Sequence, residues 1–246
     1  MSSLITTLDG ILNRRVALEQ PAEGFRVAVD TVLLASAVPA LAGQRVLDLG
    51  CGVGGAMLAL ACRVPGVAVE GVEIQAALAR LGAANIGRNA FDAALSVREG
   101  DVMRLPAVWR EAFDHVMMNP PYHDAARHDA SANAIKRRAN TEDEGDLPQW
   151  IASAAQALKT GGCLTLIHRA DRADELCVHL RGAFGAVAVK PILPKAAVAP
   201  KRVILRATKG GAEVASTRPP LVLHNADGSY TTEADALLRD MAAMAF

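Results

Sequence analysis

The sequence holds only four cysteines, Cys51, Cys62, Cys163 and Cys177. None forms a C-x-x-C pair and their spacings match no zinc pattern, so they read as reduced, mostly buried thiols. His123, His128 and His168 make no ligand pattern with any of them, and no metal is expected. No run of 18 or more apolar residues occurs, so no membrane-crossing helix is read. The N-terminal stretch has no charged segment leading into an apolar one, so no signal peptide is read there, and the cytoplasm is the expected compartment. Internal repeats and low-complexity tracts are missing too. So is net charge, with 26 basic against 26 acidic side chains.

What is present suits one large α/β domain: 246 residues, 51% apolar and 21% charged. The neutral total conceals an uneven distribution. Residues 1–122 hold 10 basic and 12 acidic side chains, residues 123–210 hold 14 and 9, and residues 211–246 hold 2 and 5. Lys190, Lys195, Lys201, Arg202, Arg206 and Lys209 follow one another with no acid between 190 and 210. Such a run suits phosphate contacts, or equally a solvated edge strand whose lysines deter aggregation.

Apolar runs alternate with helical patterns, which predicts βα units around a parallel sheet. Strands are expected at residues 45–50, 67–74, 94–98, 113–119, 163–168, 186–193 and 202–208. Helices are expected at 28–38, 54–63, 75–90, 147–159 and 171–183, the fourth stopped by Gly161-Gly162. Asp9-Gly10 suggests a small hairpin within residues 1–27. The polar stretch 123–146 is long for a loop and follows a strand end, which favours function. The organisation read is an N-terminal hairpin and entry helix over 1–42, a core over 43–211 and a tail with a short helix over 212–246.

The first core strand delivers Asp48-Leu49-Gly50-Cys51-Gly52-Val53-Gly54 to the sheet edge, where open α/β sheets bind ligands. Glycines at alternate positions let backbone approach a ligand closely. The spacing is not that of the dinucleotide-binding fingerprint, and an acid precedes the glycines. That combination resembles the first motif of Rossmann-like class I methyltransferases, which implies S-adenosylmethionine as cofactor, with Asp48, Gly50, Cys51, Gly52 and Gly54 around its methionine and ribose end. Glu73, 19 residues after Gly54, ends the second strand, where a carboxylate can accept from both ribose hydroxyls; a dehydrogenase would place an acid there too. Ile74 follows it. Asp101, with Val102 after it, is the acid that in such methyltransferases accepts from the adenine amine; a turn or N-cap role is the alternative.

The fourth strand ends in Asn119-Pro120-Pro121-Tyr122, which resembles the N-P-P-Y motif of methyltransferases acting on planar amino groups. An exocyclic amine conjugated to a ring is a poor nucleophile. The Asn119 amide oxygen and the Pro120 carbonyl can each accept one N–H, favouring the geometry that points a lone pair at the sulfonium methyl. The prolines stiffen the turn and Tyr122 offers a ring for base stacking. Asn119 therefore counts on both the catalytic and the cofactor side.

Adenine N6, cytosine N4 and a release-factor glutamine all fit that motif. The entry segment Gly24-Phe25-Arg26-Val27-Ala28-Val29-Asp30-Thr31-Val32-Leu33-Leu34-Ala35, the strand Pro200-Lys201-Arg202-Val203-Ile204-Leu205-Arg206-Ala207-Thr208-Lys209-Gly210-Gly211 and the tail from Pro220 to Glu233 resemble bacterial tRNA1(Val) adenine-37 N6-methyltransferases, over roughly residues 7–240. The resemblance implies an RNA adenine, in the anticodon loop of a tRNA, as substrate. It also places Arg26 and Asp30 beside the cofactor's methionine end, with a surface charge and a helix cap as their alternatives. Arg127, Lys136, Arg137, Arg138, Lys195, Lys201 and Arg202 are the expected RNA contacts, on a chain expected to be monomeric. A protein-glutamine methyltransferase and a catalytically silent RNA-binding module of the same fold are the competing readings.

Overall fold

The computed structural model describes residues 4–23, 26–27, 29–121, 147–212 and 214–246. Its sheet is built from the seven strands the sequence predicts: β3 (Arg45–Leu49), β4 (Ala68–Glu73), β5 (Leu95–Glu99), β6 (Phe113–Met118), β7 (Leu158–Arg169), β8 (Phe184–Lys195) and β9 (Arg202–Lys209). They run in the order β8-β9-β7-β6-β3-β4-β5, parallel except for β9, which is antiparallel to both neighbours. The central strands β3 and β6 are short and almost wholly buried because both faces are covered. On one face lie α1 (Val29–Ala37), α2 (Gly55–Arg63), α3 (Ala76–Arg88) and α6 (Thr232–Arg239). On the other lie α4 (Leu147–Ala157) and α5 (Ala173–Leu180). This is the Rossmann-like α/β arrangement that the sequence predicts.

Two further strands extend the sheet beyond the predicted seven. β10 (Ala215–Thr217) and β11 (Leu221–His224) pair in parallel with successive parts of β8. The tail then folds back through α6, and the Met244 N–H donates to the Ser36 carbonyl at 2.9 Å. Arg63 donates to the Ala35 and Val38 carbonyls, and Arg206 to that of Ala37 at 2.6 Å. The carbonyls at the C-terminus of α1, which an α-helix leaves without intrahelical partners, are thus supplied by side chains and by the tail.

Two local expectations are corrected. Asp9-Gly10 is not the hairpin turn: it lies within β1 (Thr6–Ile11), which pairs antiparallel with β2 (Val16–Pro21). The turn is on Leu12, Asn13 and Arg14, all at positive φ (52°, 53° and 62°). Gly161-Gly162 does not separate α4 from its strand, because β7 already begins at Leu158. Leu158 pairs with Phe113 and Cys163 with His115, so the glycines sit in a bulge of the strand itself.

Candidate active site

The C-terminal ends of β6, β3, β4 and β5 lie side by side, and each delivers one predicted residue. The registers Leu49–Met118 and Leu49–Val72 bring Asn119 and Glu73 to either side of Gly50, and Asp101 follows β5. The glycine turn curls over the end of β4: the N–H groups of Gly50 and Cys51 both donate to the Val72 carbonyl (2.9 and 3.0 Å). Gly50, Gly52 and Gly54 have φ of +69°, +55° and +83°, a conformation that L side chains resist. A Cβ on Gly50 would lie 2.6 Å from the Trp150 ring, whereas one on Gly52 would meet nothing within 4 Å. The turn is therefore packed behind by α4 and open in front, where a ligand would sit.

The polar groups facing that opening are costly without one. Asp48 is buried, and its Oδ2 has no hydrogen-bond partner among the described residues. Burial, and secondarily the charge of Glu73, pushes its carboxyl well above the usual range. Burial also raises Glu73, held back by the N–H groups of Gln75, Gly52 and Ile74. Its two oxygens accept from Gly52 at 3.0 Å and Gln75 at 2.8 Å, so Glu73 shapes the turn as well as facing its mouth. Cys51, deep in the turn, is raised by burial and by both carboxylates and is a neutral thiol. Asn119 Oδ1 is a second buried acceptor with no partner among the described residues, and Pro120 beside it is buried. Buried polar atoms left like this point to a missing partner. A cationic, donor-rich cofactor such as S-adenosylmethionine fits the set, and 53%-exposed Ile74 offers an apolar surface for its adenine.

Other predicted residues have partners within the protein. Asp101 caps a short 3₁₀ turn, accepting from the Met103 N–H at 2.8 Å, and Val102 is buried. Arg26 pairs with Asp9 (2.7 Å) and so ties the entry segment to the hairpin. Asp30, in the first turn of α1, pairs with Arg202 (2.8 Å) at the start of β9. Of the basic run, Lys190 is buried and donates to the Pro219 carbonyl, Arg206 stacks on Phe246 (3.9 Å), and Lys209 holds Glu111 and the Leu158 carbonyl. These three fasten the sheet rather than forming a phosphate surface. Lys195 and Lys201 are exposed on the same sheet edge as Asn119. Tyr122, Arg127, Lys136, Arg137 and Arg138 lie outside the described residues. All four cysteines are free; Cys51 alone is buried and the other three are half-buried, which corrects the mostly buried expectation. Among the described residues no cluster of side chains could hold a metal, and no helix is long and apolar enough to cross a membrane.

The methyltransferase small-domain family model matches residues 26–192. The chain belongs to this family. A tRNA1(Val) (adenine(37)-N6)-methyltransferase of Serratia proteamaculans is 32% identical to this methyltransferase over 222 residues, covering 88% of this chain and 83% of the relative. One of the same name from Aeromonas hydrophila is 29% identical over 84% of this chain and 86% of its own. The family resemblance read from the entry segment, β9 and the tail is thereby borne out. Among solved structures, a predicted O-methyltransferase of Agrobacterium tumefaciens superposes with a TM-score of 0.74 at 29% identity, over 88% of this chain and 99% of that one. Geranyl diphosphate C-methyltransferase of Streptomyces coelicolor, at 16% identity and a TM-score of 0.53 over 73% and 78%, shares the fold alone.

Two buried histidines of the methyltransferase titrate against the fold. Burial pushes His115 and His168 down to about 4. Their ordinary value is about 6.5, so between these limits the unfolded chain binds more protons and stability falls as pH falls. The urea midpoint is expected to drop from pH 7 to pH 4.5, and His115→Gln should flatten that slope by about one proton. An unchanged slope would mean that His115 is charged in the fold.

Proposed function

We propose that this methyltransferase transfers the methyl of S-adenosylmethionine to the N6 of an adenine in a tRNA anticodon loop, in the cytoplasm. The carrying observation is the buried Asn119 Oδ1 beside the glycine turn, without a hydrogen-bond partner among the described residues. An acceptor fixed there draws one amine proton, the Pro120 carbonyl draws the other, and the nitrogen lone pair is left facing the donor methyl. Asp48, Gly50, Cys51, Gly52, Gly54, Glu73, Ile74, Asp101 and Val102 hold the cofactor, whose sulfonium supplies an already activated methyl. Tyr122 stacks the flipped base. Arg26 and Asp30 act indirectly, through their ion pairs with Asp9 and Arg202. The curated relatives' shared name supports the adenine in tRNA as substrate.

The test is transfer of labelled methyl from S-adenosylmethionine to tRNA lacking the modification, followed by nucleoside analysis. Label in N6-methyladenosine is expected. Label in a 2′-O-methyl nucleoside would favour the O-methyl chemistry in the name of the Agrobacterium structure, and label confined to a release factor offered in a parallel reaction the glutamine reading. Lys201 offers a cleaner test of the RNA edge than Arg202, which is engaged with Asp30. Lys201→Glu should weaken tRNA binding severalfold and lower its salt slope by about one. A variant that binds as tightly as wild type at both low and high salt would remove Lys201 from the interface.

A further inference from the structure

On the side away from α4, the glycine turn is held by α3. Gly82 lets the helix in: a Cβ there would stand 3.2 Å from the Gly52 carbonyl oxygen and 3.4 Å from the Val53 carbonyl carbon. One turn on, Asn85 is fully buried and every polar valence of its amide is used. Its Nδ2 donates to the Val53 carbonyl at 3.0 Å and to the Glu19 carbonyl at 2.8 Å. Its Oδ1 accepts from the Glu19 N–H and from Arg88, both at 2.8 Å. Asn89 repeats half of this pattern on Ala17, accepting from its N–H at 2.9 Å and donating to its carbonyl at 2.7 Å.

The spacing explains the match. Four residues of helix rise about 6 Å and two residues of strand about 6.8 Å. Two asparagine amides at i and i+4 can therefore face two successive outward-pointing peptide groups of β2, as a neighbouring strand would. The hairpin is thus paired on its outer edge by a helix. Of the two amides, Asn85 alone also reaches the turn, at the peptide that precedes left-handed Gly54.

We propose that Asn85 is a positioning residue for the cofactor turn, and that through it the N-terminal hairpin is a working part of the cofactor site. This rests on the reading of residues 50–54 as the S-adenosylmethionine turn. The hairpin holds Asn85 by three groups, two on Glu19 and one through Arg88, itself paired with Glu19. Asn85 then fixes the orientation of the 53–54 peptide, and with it the shape of the turn presented to the ligand.

The experiment is calorimetric titration of S-adenosylmethionine into the wild-type enzyme, Asn85→Asp and Asn89→Ala, with steady-state kinetics alongside. Asn85→Asp keeps the acceptors and removes both donors. It should weaken cofactor binding about tenfold, the worth of one buried hydrogen bond. The KM for S-adenosylmethionine should rise in step, with kcat nearly unchanged. Asn89→Ala loosens the hairpin without touching the turn, and should lower the melting temperature while leaving cofactor affinity within about twofold. Equal affinities for wild type and Asn85→Asp, or equal losses in both variants, overturn the proposal. A wild-type enzyme that fails to bind the cofactor overturns the reading of the turn itself. Should Asn85→Asp not fold, the side-chain amide signals of the wild-type enzyme decide during titration with S-adenosylhomocysteine. The Asn85 pair should move with the Gly52 and Gly54 amides and the Asn89 pair should not; an Asn85 pair that stays still overturns the proposal.

Discussion

Asn119→Ala is expected to reduce methyl transfer about a hundred- to a thousandfold at saturating cofactor, the usual loss when one preorganised group aimed at developing charge is removed. The amide oxygen lies in a buried position where no described residue uses it. Its removal therefore takes from Oδ1 no hydrogen bond to a described residue, and on the proposed function it takes an acceptor from the reaction. S-adenosylmethionine affinity should be largely retained, since Asp48, Glu73 and the glycine turn are untouched. Single-turnover rates with preformed complex separate the two effects. Turnover within tenfold of wild type would mean that Asn119 does not orient the amine, whatever the substrate.

Asp48→Asn should move stability and binding in opposite directions. The carboxyl is raised by burial and by Glu73. A folded-state value above the unfolded one favours the fold below the unfolded range near 3.8 and loses that advantage as pH rises through the raised value. As pH rises above the unfolded value, holding this carboxyl in the cofactor-free fold costs stability, and the amide removes that cost. The melting temperature without cofactor should rise by a few degrees at pH 8 and change little at pH 4, where wild type is itself protonated. Cofactor affinity should fall on the order of a hundredfold, because a buried carboxylate facing a cation is lost. A lower melting temperature at pH 8 would show that the fold itself stabilises the carboxyl.

The core was legible because its signals are local. Arg45–Leu49 and Ala68–Glu73 are valine- and leucine-bearing stretches of strand length, the first followed by glycine and the second ending in an acid, and each emerges within a residue or two of its predicted limits. The same locality made the glycine turn and Asn119 readable, since strand ends in a parallel sheet bring motif residues together whatever lies between them. What was missed depends on tertiary contact. β10 and β11 have three and four residues, too few to show a period, and they are strands because β8 offers them an edge. Lys190 reads as a surface cation but is buried, because the tail folds over it and supplies the Pro219 carbonyl. Trp150 carries no motif, yet it is what requires glycine at position 50. Asn85 and Asn89 stand four apart at the end of a helix otherwise rich in alanine, Asn85 within it and Asn89 as its C-cap, and an asparagine pair at that spacing is the signal that could have found them.

The placement of β9 sets an order of assembly on the ribosome. It lies between β7 and β8 but is made after both, and every sheet neighbour of β8, which are β9, β10 and β11, comes later in the chain. The emerging polypeptide holds β6-β3-β4-β5, with Asp48, Glu73 and Asn119, once residue 121 is out. At that stage β7 has yet to emerge, and afterwards it presents an open edge until Lys209 follows. Such an edge is a template for pairing with another chain. On the proposed function, the residues assigned to the methyl donor are thus made in the first half of synthesis and Lys201, assigned to the RNA, only near its close.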